Sequence, residues 1–297
     1  MRPLPLLPAL LLLGCSAPEP AVCDRADLEP AGPLDVHVQQ ASAPRATLVL
    51  FHGLGESACT WTDRTEGSRL ASLAVDAGFA VVAVDSGTRS WSTGYPENDD
   101  ALAVDDALDA LRDDDRIPDG PLLGLGHSNG GAFAPIWAAT SSHEVRAVVA
   151  ANTWSTEALG SSELPPLLFV SAENDLVIPK ALTAAAVDRA EGAGHVVERI
   201  HDRRKVVESE RFARIDGVSA DDSRRLVQAL DDAGLLNAEG RLRSNPRLDP
   251  RWRDALPDDL VEHEEAIEEQ LHVLYAEHRF SSDNAAAFLT LFDSALE

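Results

Sequence analysis

Gly126-His127-Ser128-Asn129-Gly130 sets a serine between two glycines at the end of an apolar run. That spacing suits a nucleophile elbow, in which the serine sits where a strand turns abruptly into a helix. A glycine two residues to either side lets the two backbones pass without a Cβ clash. The flanks fit. Pro121 to Leu125 reads as a short buried strand, and Gly131 to Ala139 can continue as a helix with Pro135 within or near its first turn. A serine hydroxyl is a weak nucleophile until a base takes its proton, so Ser128 calls for a histidine, a carboxylate to orient it and N–H donors for an oxyanion.

Upstream, Ala46-Thr47-Leu48-Val49-Leu50-Phe51 reads as a strand running into His52-Gly53-Leu54-Gly55, 75 residues before Ser128 by number. With these two motifs the chain resembles the α/β-hydrolase family over roughly residues 34 to 180, with a further piece near the C-terminus. The resemblance implies an α/β fold with a mostly parallel central sheet flanked by helices. It also implies a serine hydrolase that cleaves an ester or related acyl bond through acyl-Ser128 without a cofactor. The oxyanion donors it implies are the backbone N–H groups of Leu54 and Asn129. Further apolar runs at Phe79 to Val84, Val145 to Ala150 and Leu167 to Val170 alternate with helical stretches such as Asp99 to Arg112, which agrees with a parallel sheet. On the helical stretch Ala101, Val104, Leu108 and Leu111 share one face.

The run ending at Val170 leads into Ser171-Ala172-Glu173-Asn174-Asp175, similar to the family's acid loop, which makes Asp175 the triad acid and Glu173 the fallback. The family order of serine, acid and histidine leaves His195, His201, His263, His272 and His278 eligible. His201 is only 26 positions past Asp175 by number, but Asp202-Arg203-Arg204-Lys205 follows it, a cationic neighbourhood that disfavours an imidazolium. His278 precedes Ser281-Ser282-Asp283 and an apolar segment with Phe288, Leu291 and Phe292, similar to the family's terminal histidine loop and last helix. His278 is therefore the expected base and His201 the fallback. No metal-ligand spacing links the histidines, and no metal is expected.

With His278 as base, the expected core is 34–180 plus 261–297, and 181–260 is a mainly helical insertion or cap. Within it Ser219 caps a helix with Leu226, Val227 and Leu230 on one face, ended by Ala233-Gly234, and Leu235 to Leu242 suggests a small hairpin. A peptidase, a polyester depolymerase and an acyltransferase share this machinery, and a non-catalytic binding lipoprotein with a retained fold is the alternative from another class.

The 297 residues, 44% of them hydrophobic, suffice for one large core plus an insertion. A formal net charge of −25, with lysine only at 180 and 205, repels a phosphate backbone and excludes nucleic acid as a partner. The expected partners are a small-molecule or polymeric ester and a membrane. At the N-terminus Met1-Arg2 is followed by an apolar stretch, Leu4 to Leu13, too short to span a bilayer. Leu12-Leu13-Gly14-Cys15 resembles a bacterial lipobox, which implies a signal peptide over 1–14, an acylated Cys15 anchored in the cell envelope and a tether over 15–33. Cys23 and Cys59 can then pair in an oxidising compartment.

Overall fold

The computed structural model describes residues 28–161 and 164–297. The signal segment, Cys15, Cys23 and most of the tether lie outside those residues, and Cys59 is disulfide-bonded. The tether ends earlier than expected, because Glu29–Ala31 forms strand β1 and pairs antiparallel with Leu34–Gln40, β2.

Among the described residues the strands form one sheet. It continues with β3 Thr47–Phe51, β4 Ala80–Val84, β5 Leu122–His127, β6 Val145–Ala151, β7 Leu167–Ala172 and β8 Val197–Asp202. The order is β1-β2-β4-β3-β5-β6-β7-β8. β2 runs antiparallel to β4, and all pairs from β4 to β8 are parallel. β3, β4 and β5 are buried along their whole length, which is why they read as unbroken apolar runs rather than alternating ones.

Helices cover both faces. α1 (Thr65–Asp76) lies on one, while α2 (Asp99–Asp113), α3 (Asn129–Thr140) and α4 (Lys180–Gly192) lie on the other. Asn98 caps α2 by accepting the Ala101 N–H at 3.1 Å, and Ala101, Val104, Leu108 and Leu111 are buried as their spacing predicts. Pro135 lies inside α3 and not in its first turn, so the Gly131 carbonyl loses its i+4 donor. Complete burial of Ala132, Phe133, Ala134, Ile136 and Trp137 holds that helix in place.

The expected insertion boundaries shift at both ends. α4 and β8 belong to the core, since Val197 to Asp202 pair with Leu167 to Ala172. β8 escaped assignment to the core because it is an outer strand with half-exposed residues and no buried side. The inserted segment begins after Asp202 and holds α5 (Ala220–Asp232), α6 (Arg251–Asp254) and α7 (Glu264–Leu274) around its own core of Phe212, Leu226, Leu230, Trp252, Ile267 and Leu271. α7 belongs to that core, so the chain rejoins the main body near Ala276, and no strand intervenes before α8 (Ala285–Leu296). Ser219 and Asp222 complete the capping box of α5, and the expected hairpin is reduced to an antiparallel bridge between Leu236 and Leu242.

A buried ionic network staples the insertion to the core. Glu66 on α1 accepts from Arg211 Nη2 at 3.1 Å, Arg214 Nη1 at 3.4 Å, and the Ser282 N–H and hydroxyl, both at 2.7 Å. Asp283 accepts from Arg211 Nη1 and Lys205 Nζ at 2.8 Å, and from Arg214. Burial alone would raise the Asp283 carboxyl, but Arg211 and Lys205, with Arg214, outweigh it and hold it well below the ordinary carboxylate range. A carboxyl depressed in the folded state stabilises above its unfolded pKa, about 4, and that contribution fades as pH falls toward the folded value. Asp283→Asn is therefore expected to lower the denaturation midpoint at pH 7 and to flatten the acid limb of stability below about pH 4. An acid limb parallel to wild type in a urea series would contradict this.

Candidate active site

β5 delivers Ser128 to the carboxyl edge of the sheet in a conformation other residues avoid, with φ 56° and ψ −116°. A non-glycine residue held there costs on the order of 1–3 kcal/mol, so the surroundings must enforce it. They do so by close approach. A Cβ on Gly126 would lie 2.1 Å from the Gly130 carbonyl oxygen, and one on Gly130 would lie 2.2 Å from the Phe51 carbonyl oxygen. The Ser128 N–H is anchored on the Ala151 carbonyl at 2.8 Å.

The loop after β7 places Asp175 with its side chain 1% exposed. Asp175 Oδ1 accepts the N–H groups of Val177 at 2.9 Å and Ile178 at 2.7 Å, so the carboxylate is fixed in place. Its Oδ2 lies 2.7 Å from His278 Nδ1, and His278 Nε2 lies 2.8 Å from Ser128 Oγ. A carboxylate can only accept here, which assigns the proton to Nδ1 and leaves Nε2 as the acceptor of the serine hydroxyl. The His278 loop is held in turn, with Asn152 Nδ2 donating to the Arg279 carbonyl at 3.0 Å and the Asn174 N–H to the Ala276 carbonyl at 2.9 Å.

Beside this row, burial pushes the His127 imidazole down to about 3, with the His278 and arginine charges adding to the shift. Its ring centre is 5.0 Å from that of His278, so a neutral ring packs against the base and adds no competing charge.

The Asn129 side chain grips the Trp91 backbone, Oδ1 accepting its N–H at 2.6 Å and Nδ2 donating to its carbonyl at 3.0 Å. The Asn129 main-chain N–H, at the first position of α3, has no acceptor within the helix. Leu54 lies in the turn after β3. Trp91 Nε1 donates to the His52 carbonyl at 3.0 Å, and the Gly55 N–H to the Arg89 carbonyl at 2.7 Å. His52 is fully buried, and burial pushes its imidazole down, which keeps it neutral. Nδ1 then donates to the Gly53 carbonyl at 2.8 Å while Nε2 accepts the Ser86 N–H at 3.2 Å.

Ser128, Asp175 and His278 thus lie in one hydrogen-bonded row. The fallback residues do not join it. His201 sits on β8 with Nδ1 3.0 Å from Ser171 Oγ, and Glu173 is an exposed carboxylate accepting the Arg204 N–H at 3.0 Å. Glu56 and Arg64 were not singled out from the sequence, since a contact between two polar side chains carries no periodic signal. Among the described residues, no group of three or more His, Cys, Asp or Glu side chains is arranged to hold a metal ion, and no helix is long and apolar enough to cross a membrane.

Residues 46–170 match the model of a family described as the alpha/beta hydrolase fold. No curated protein matches the chain. Among solved structures the chain is similar to an esterase of Pyrococcus furiosus, with a TM-score of 0.47 and 14% identity, covering 57% of this chain and 76% of that one. It is also similar to a Bacillus cereus carboxylesterase, with a TM-score of 0.44 and 16% identity over 58% of this chain and 86% of the other. A Staphylococcus aureus S-formylglutathione hydrolase gives a TM-score of 0.45 and 15% identity over 57% and 81%.

Proposed function

Since this chain has the alpha/beta hydrolase fold, we propose that it is a serine hydrolase cleaving a carboxylic ester through an acyl-Ser128 intermediate. The observation that carries this reading is the row from Ser128 Oγ through His278 to Asp175, with contacts of 2.8 and 2.7 Å. Ser128 Oγ attacks the ester carbonyl carbon while His278 Nε2 takes its proton, and Asp175 stabilises the imidazolium that results. The carbonyl oxygen becomes an oxyanion facing the Leu54 and Asn129 N–H groups. Collapse of this intermediate breaks the bond to the alkoxy oxygen, which leaves as the alcohol with the proton from His278. Water then attacks the acyl-serine carbonyl, gives its proton to His278, and the carboxylic acid departs as Ser128 regains its hydrogen.

A fluorophosphonate probe tests the reading directly, because it phosphonylates a serine only where a base and an oxyanion site activate it. The expected result is one adduct mapped by mass spectrometry to the peptide containing Ser128, absent in Ser128→Ala. Absence of labelling in the wild type, or equal labelling of Ser128→Ala, overturns it.

A further inference from the structure

We propose that Glu56 and Arg64 are a positioning pair for the oxyanion turn, fixing residues 53–56 so that the Leu54 N–H faces the carbonyl oxygen that Ser128 attack makes negative. This inference rests on the hydrolase reading and adds to it the residues that hold one donor in place.

The Gly53 carbonyl and the Leu54 N–H belong to one planar trans peptide and point in opposite directions. Whatever holds the Gly53 oxygen therefore aims the Leu54 N–H. That oxygen accepts from His52 Nδ1 at 2.8 Å and from the Glu56 N–H at 3.2 Å, while Glu56 Oε2 accepts the Gly53 N–H at 2.9 Å, so Glu56 meets residue 53 on both of its backbone groups and shares its oxygen with His52. Glycine at 53 makes the closure possible, because a Cβ there would lie 2.7 Å from Glu56 Oε2. The second carboxylate oxygen, Oε1, accepts from Arg64 Nη1 at 2.7 Å, which ties the turn to the residue preceding α1. Burial alone would raise the Glu56 carboxyl, and the Arg64 charge with its smaller partners outweighs it and keeps the group ionised.

Packing of Leu54 does not hold this turn, since that residue is 70% exposed. The side chains of Glu56 and Arg64 are by contrast only 16% and 30% exposed. A donor that must be still when charge develops on the substrate is thus secured by polar groups behind it, where a loose turn would have to reorganise during the reaction.

The test measures ester turnover, binding of a boronic acid that mimics the tetrahedral intermediate, and thermal midpoint in Glu56→Ala, Glu56→Gln and Arg64→Gln. Removing an oxyanion donor outright costs about 100- to 1000-fold in kcat. Misaiming one through Glu56→Ala is expected to cost about 10- to 100-fold in kcat with KM within a few-fold, and to weaken boronate binding in parallel. Glu56→Gln keeps an acceptor for the Gly53 N–H and is expected to recover most of the loss, with Arg64→Gln between the two. A Glu56→Ala variant that is folded with wild-type kcat, or a loss confined to KM or to the melting midpoint, overturns the proposal, as does a Glu56→Gln no better than Glu56→Ala. Ser128→Ala measured alongside separates the two claims: full turnover there removes the hydrolase reading itself, whereas a dead Ser128→Ala beside a fully active Glu56→Ala removes only the positioning pair.

Discussion

His278→Ala is expected to lower kcat about as far as Ser128→Ala, by about four orders of magnitude or more, while His201→Ala stays within a few-fold of wild type. Triad members act as a unit, so removing the base leaves a serine hydroxyl that nothing deprotonates, and only binding and the oxyanion donors remain to accelerate the reaction. The contrast follows from placement. His278 Nε2 is 2.8 Å from the nucleophile, whereas His201 makes its contact with Ser171 on the outer pair of strands. Steady-state kinetics on a soluble ester distinguishes the two, and a His278→Ala variant retaining a tenth of the wild-type rate would rule out its role as base.

The second large effect is on stability. Glu66→Ala is expected to destabilise the fold by about 3–5 kcal/mol, because it takes one of two paired carboxylates from buried Arg211, which keeps only Asp283, and removes the shared acceptor of the Ser282 N–H and hydroxyl. Glu66 is 1% exposed and joins three parts of the chain: α1, the start of the insertion through Arg211 and Arg214, and the loop beyond His278 through Ser282. Turnover should fall as well, since Ser282 lies four positions past the base. Replacing Glu66 and Arg211 together by methionine is expected to cost less than either single change, because no charge is left unpaired inside. Urea midpoints for the two singles and the double test this, and strictly additive losses would contradict it.

The elbow and its strand were legible from sequence because the glycine pattern is compact, although only one of the contacts that dictate it is local: Gly126 meets the Gly130 carbonyl oxygen at 2.1 Å, whereas Gly130 meets the distant Phe51 carbonyl oxygen at 2.2 Å. Asp175 was legible for a similar reason, as the carboxylate in the loop leaving a buried strand. The base was harder to place, since five histidines follow Asp175 and the one in contact is 103 positions away. The resemblance of the segment after His278 to a closing loop and helix favoured it, together with the cationic run that follows His201. β8 was assigned to the insertion because an outer strand with exposed residues has no buried side to impose a pattern. Glu66 reads in the sequence as one more acid on a helix facing water, and nothing local reports that arginines nearly 150 positions later will surround it. The pairing of Glu56 with Arg64 is invisible for the same reason, being a contact between two side chains rather than a period or a spacing.

The long detour between β8 and His278 bears on how the proposed catalytic row is assembled. The sheet is complete at Asp202, so a chain emerging N-terminus first can assemble its nucleophile, acid and oxyanion turn while residues 203–297 are still to come. The base then arrives across a separation of 150 positions from Ser128, one of the slowest kinds of contact to close. Until the insertion has folded and α8 has docked on the sheet, the nascent chain carries a serine that nothing activates. On the proposed mechanism, catalytic competence waits for the segment that carries His278, and a polypeptide cut short before it is expected to show no ester turnover.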